Sequence, residues 1–242
     1  MKYIFSVLSI VPVVSSHAAT MMVDSTPNLI IPDNSTVGVA DFLEVTTPIT
    51  SITSVEVAID ISGGFNGDYY AYLQHSSGFA VLLNRPGRST LSVTEALGLG
   101  YPDSGIAIGF TSTAPAGDVH TYRNVTNPNG GQLTGFFQPD GRDIDPSLSI
   151  EEIPRTARLG SFTGADPNGT WVLFINDNSA GGIGTFNNWS LTITGTIPEP
   201  TTPGLTFLAI VILFGRRRRE VLRRVNDTIS FGAVLNGQAT SL

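Results

Sequence analysis

The 242-residue sequence predicts an all-β sandwich. Three observations carry that expectation. Apolar residues alternate with polar ones over short runs rich in Val, Ile, Thr, Phe and Tyr, the period of a half-buried strand. Clusters of Gly, Pro, Asn, Asp and Ser separate those runs and suit turns. No strong amphipathic helical pattern interrupts them between residues 28 and 195.

Composition narrows the classes. The chain has no cysteine, so an exported form rests on its core and on any bound ions, without disulfides. A body of about 175 residues buries roughly 70% of its unfolded surface, enough to do without a staple. Between the leader and Arg216 stand six arginines against 18 acids, a net charge near −12. Such a surface repels nucleic acid and anionic lipid and attracts divalent cations.

Residues 1–18 read as a secretory signal peptide. Lys2 precedes the apolar run Tyr3 to Val14, and Ser16 and Ala18 place small residues ahead of a cut after Ala18. The domain opens at Asn28, and strands follow over Val37 to Val45 and Ile49 to Ile61. In the second, Ile52, Val55, Val57, Ile59 and Ile61 are the inward positions. Tyr69, Tyr70 and Tyr72 include alternating positions of the next strand. Ser76 to Gly78 is a turn, Ala80 to Leu83 a strand, and Asn84 to Gly87 a second turn. Ser89 to Ile153 has many turn residues and only short apolar runs. Ile106 to Phe110 and Leu133 to Phe137 read as strands there, and Thr94 to Leu99 as a helical turn. The segment reads as elaborated loops and extra strands on the same domain.

The last two strands are the most regular. Trp171, Leu173 and Ile175 share one face of Gly169 to Asp177, with Val172 and Phe174 on the other, which reads as burial on both faces. Trp189, Leu191 and Ile193 face a core, while Ser190, Thr192 and Thr194 face water. The Asx- and Gly-rich stretch Asn176 to Gly184 joins them as a core hairpin. Both tryptophans are expected to be buried, on adjacent strands.

This ending resembles the last strands of a P domain, also called Homo B, the module that follows the catalytic domain in subtilisin-like proprotein convertases such as furin and kexin. The residues that carry it are Gly169-Thr170-Trp171-x-Leu173-x-Ile175-x-Asp177, the Gly-rich loop, and Trp189-Ser190-Leu191-Thr192-Ile193. Ile31-Pro32-Asp33 resembles the family's N-terminus. Gly67-Asp68 with Leu73 resembles its Gly-Asp-Leu segment, with Tyr69 in place of the Leu. Asn84-Arg85-Pro86-Gly87 is similar to its Arg turn, and Arg158 to Gly164 returns to the pattern after an unusually long middle. Ala165 stands where the family often has Glu. The resemblance implies a jelly-roll-like sandwich over residues 28–195.

Beyond Ile193 the character changes. Pro198-Glu199-Pro200, the apolar run Leu205 to Phe214 and Arg216-Arg217-Arg218-Arg219 resemble a PEP-CTERM sorting signal over residues 197–219. That signal implies an exported protein of a Gram-negative bacterium, processed by signal peptidase and an exosortase-type enzyme. The ten residues from Leu205 to Phe214, at ~1.5 Å each, reach ~15 Å, short of a ~30 Å hydrocarbon core. The expectation is a short apolar helix acting as a transient or retained inner-membrane anchor, its arginines held inside. The mature protein would then reside in the envelope, at the cell surface or outside the cell. Residues 220–242 carry no strong pattern and read as a disordered tail.

Catalysis finds little support. Asp103-Ser104-Gly105 resembles the aspartate motif of subtilisin-like enzymes, and Thr111-Ser112-Thr113-Ala114-Pro115 is faintly similar to their nucleophile motif. No His-Gly motif lies between them, and His75 and His120, the histidines after the leader, sit in strand-like contexts. A triad needs a base in reach of the nucleophile and an acid to orient it. Calcium is the cation that the oxygen-rich loops suit, through Asp140, Asp143 and Asp145 from one loop, and through Asp68 and Asp177 from two others. The same Asx residues equally serve as turn caps. Three non-enzymatic readings stand: a structural or adhesive module of the cell surface or extracellular matrix, an accessory domain stabilising a separate subtilisin-like serine protease, and a carbohydrate-binding module for surface polysaccharide.

Overall fold

Ten strands build two facing sheets in the computed structural model, which describes residues 16–89 and 99–198. Expectations for residues 1–15, 90–98 and 199–242 lie outside the described residues. They cover most of the signal peptide, the helical turn up to residue 98, Glu199, Pro200, the arginines Arg216 to Arg219 and the tail. Among the described residues no helix is long and apolar enough to cross a membrane.

One sheet runs in the order β1 (Ser16–Ser25), β10 (Gly184–Pro198), β4 (Ser51–Gly63), β7 (Ile106–Phe110), β8 (Leu133–Phe137), and β2 (Leu29–Ile31) also pairs with β10. The other runs β3 (Ser35–Val45), β9 (Gly169–Asp177), β5 (Tyr69–His75), β6 (Gly78–Asn84). All neighbours are antiparallel except β7 and β8. The inner faces of the two sheets form one core, which is the all-β sandwich that the alternating pattern requires.

The five inward positions of β4 are all buried. Ile52 and Val55 are three apart, which a regular strand would send to opposite faces. The register with β10 shifts between Thr194 and Gly195, and this bulge turns both residues inward. A second shift lies between Ser35 and Val39, where Gly38 takes φ +58° and a Cβ would stand 2.4 Å from the Ile175 carbonyl oxygen.

Trp171, Leu173, Ile175, Trp189, Leu191 and Ile193 are all buried. The two tryptophans, however, are not on adjacent strands: Trp171 lies on β9 in one sheet and Trp189 on β10 in the other. Both strands are interior, β9 between β3 and β5, and β10 between β1 and β4. Neither has an edge left for the other, so the Gly-rich connection crosses the sandwich instead of closing a hairpin. Val172 and Phe174 are half-exposed, because the outer face of their sheet is not covered as the inner one is. Ser190, Thr192 and Thr194 are half-buried between the flanking strands.

The β unit also extends further than residues 28–195. Strand β1 pairs with β10 from Ser25↔Trp189 back to Ser16↔Pro198, and Ala19, Met21 and Val23 pack against the core. Ile197 and Pro198 therefore end a strand. The free edge of β6 is closed by a strap. Val81 N donates to Ala157 O at 3.0 Å, Asp140 N to Leu82 O at 3.0 Å and Gly141 N to Val81 O at 2.9 Å.

Candidate functional site

The strap carries Asp140 into full burial. Its Oδ2 lies 2.8 Å from His120 Nδ1, and its Oδ1 accepts from Arg142 Nη1 at 3.0 Å. Arg142, itself buried, also donates to Asp118 Oδ2 at 2.8 Å, Ile150 O at 3.0 Å and Glu151 O at 2.8 Å. Burial pulls the Arg142 guanidinium down, but Asp140 and Asp118 outweigh it and hold it above its ordinary value. Arg155 closes the cluster by donating to Asp140 O at 2.8 Å and Pro139 O at 2.6 Å. Buried charges persist only when paired on this scale, so the cluster fixes the strap against β6.

The loop carboxylates expected to converge on calcium do not converge. Asp143 and Asp145 are exposed. Asp145 Oδ1 accepts from the Ser147 amide and hydroxyl, at 2.8 and 2.6 Å, and caps the short turn Pro146–Leu148. The centre of the loop is occupied by Asn84, whose Nδ2 donates to Arg142 O at 2.9 Å and Ile144 O at 3.0 Å. Among the described residues no group of three or more His, Cys, Asp and Glu side chains is placed to hold a metal ion.

Asp68 and Asp177 do come together, across the start of the β5–β9 ladder, where Tyr69 faces Asp177. Both are buried. Burial, then the Asp177 charge, pushes the Asp68 carboxyl up to about 7 against the pull of Arg85. Asp177 is also raised, chiefly by burial. Arg85 sits 3.5 Å from Asp68 Oδ1 and donates from Nε to Gly67 O at 3.1 Å.

Asp103 belongs to a third buried cluster. It accepts from Arg123 Nε and Nη2 at 2.8 and 2.9 Å, from the Tyr122 hydroxyl at 2.6 Å and from Gly130 N at 2.8 Å. Burial raises this carboxyl, but the Arg123 and Tyr122 hydrogen bonds prevail and hold it below the usual carboxylate range. That arrangement clamps three loops and leaves the carboxylate no histidine to orient.

Both histidines are buried; His75 lies in strand β5 as its context suggests, whereas His120 lies in a 3₁₀ turn, not in a strand. His120 Nε2 lies 2.9 Å from Arg88 O. His75 stacks on Trp171 with ring centroids 4.5 Å apart. Its Nδ1 lies 2.7 Å from Ser77 Oγ, a local turn contact, and its Nε2 lies 3.2 Å from Asn168 O. Neither histidine bonds any residue of the Thr111 to Pro115 stretch. The sequence reading missed the pairing arginines, although Arg142 stands inside the same Asp140–Asp145 stretch that was read as a cation loop.

Two solved structures of the serine protease of Aeromonas sobria are similar. One, a complex with the chaperone, has a TM-score of 0.37 at 14% identity, covering 76% of this chain and 27% of that chain. The other has 0.38 at 13%, covering 76% and 28%. The chain thus spans about a quarter of the length of those chains. No curated protein matches the sequence. Residues 115–193 match the family model of the proprotein convertase P-domain, the family that the Gly169 to Ile193 motif resembles.

Proposed function

We propose that the chain is a non-catalytic accessory module that binds and stabilises a subtilisin-like serine protease outside the cytoplasm. The P-domain match over residues 115–193 is the observation that carries this reading. The two histidines support it, because each is held by the hydrogen bonds that fix its own loop, and neither faces the serine of a protease-like motif. The leader at residues 1–18 and the sorting pattern at 197–219 support export through signal peptidase and an exosortase-type enzyme. That sorting pattern also favours a second reading, in which the same module has a structural or adhesive role at the cell surface.

The test uses the full chain and a subtilisin-like catalytic domain stripped of its own P domain. A one-to-one complex with a Kd on the order of 1 μM or tighter is the expected result. Peptide hydrolysis by the chain alone, blocked by a serine-directed reagent, would overturn the reading.

A further inference from the structure

We infer that the outer face of the four-stranded sheet is the surface on which that protease docks, through an aromatic patch centred on Tyr72. The inference rests on the accessory reading above. Register places the outward side chains in two rows, Ala40–Phe174–Tyr72 and Phe42–Val172–Gln74. Tyr72 stacks on Phe174 with centroids 4.9 Å apart and lies 5.2 Å from Phe79 and 6.0 Å from Tyr70. Phe42 is 60% exposed, and the other four aromatic rings are half-exposed. A single exposed aromatic residue is ordinary, but a contiguous patch of Tyr and Phe on one sheet has the composition of an interface core.

Ring orientation and charge select the occupant. Tyr72 and Phe174 lie within 19° of parallel, so each covers a face of the other. A saccharide platform needs open ring faces, whereas ring edges set among aliphatic side chains suit an apolar protein surface. The rim is acidic. Glu44 accepts from Thr170 Oγ1 beside Phe42 and Val172, and the Asp143 charge acts on the Tyr70 hydroxyl, which burial and that charge raise to about 12. With a body charge near −12, the complementary partner is a catalytic domain whose apolar patch is rimmed by Lys and Arg.

The experiment places photoreactive benzoylphenylalanine at position 42 of the full chain in its native cells. Position 22, where Met22 is 62% exposed on the other sheet, serves as the control. An adduct to a serine protease at least tenfold above the control is the expected result. Phe42→Ser, at an exposed position that leaves folding intact, should then weaken binding of the purified protease at least tenfold. An adduct to a different identified protein, with the same loss on Phe42→Ser, keeps the surface and overturns the protease reading. Equal adducts at both positions, adducts to polysaccharide, or unchanged binding by Phe42→Ser overturn the surface.

Discussion

Trp189 on β10 donates its indole N–H to Asp41 Oδ2 on β3 at 2.8 Å, tying one sheet to the other across the core. Asp41 is an inward-pointing charge on an edge strand, a device that discourages pairing with a further strand. Asp41→Ala should destabilise the fold by about 1–3 kcal/mol, the cost of leaving a largely buried donor unmatched. Asp41→Asn, which retains an acceptor, should cost less. Urea denaturation of the two variants measures the difference.

Trp171 fills the same core from the opposite sheet. Its indole donates to Pro167 O at 2.9 Å, and its ring lies between His75 and Phe162, at 4.5 and 4.8 Å. Trp171→Ala should cost about 3–5 kcal/mol. Native fluorescence should be blue-shifted, and emission at the wavelength of solvated indole would contradict the burial of both tryptophans.

The Asp68 carboxyl gives stability a pH dependence. Its folded value of about 7 lies above the unfolded value of about 3.9. The native state therefore binds more protons between those limits, and stability falls as pH rises from about 4 to 7. Asp68→Asn keeps an oxygen for Arg85 and removes the titration. Its Tm should exceed the wild-type Tm at pH 8, with little gain at pH 4, in thermal melts by circular dichroism.

Asp103 acts in the opposite direction. Its depressed value makes its stabilisation present above about pH 4 and lost as pH falls through the lower folded value. Arg123→Ala strands a fully buried carboxylate and should cost about 3–5 kcal/mol at pH 7. Adding Asp103→Asn to that variant should recover part of the loss, which a double-mutant cycle in urea would read.

The inward faces of β4, β9 and β10 were legible in the sequence because alternation reports which side chains share a face. It does not report which strand lies alongside, so β9 and β10 could be read as a hairpin when they belong to facing sheets. Strand β1 was missed because the apolar leader runs directly into it and exposed Met22 masks the alternation of Ala19, Met21 and Val23. In the sequence, Asp103 resembles a protease-like aspartate motif and Asp140 reads as a cation or turn residue. Their partners Arg123 and His120 lie 20 positions away, a pairing that only the folded chain brings together. Asp68 and Asp177 stand in two separate oxygen-rich loops of the sequence, and their approach to each other depends on the β5–β9 register.

The most direct test is the thermal inactivation half-life of a subtilisin-like catalytic domain lacking its own P domain, with and without saturating full chain. A several-fold longer half-life is expected, because a ligand that binds only the native state stabilises it by RT ln(1 + [L]/Kd). An unchanged half-life at saturation would contradict the accessory role.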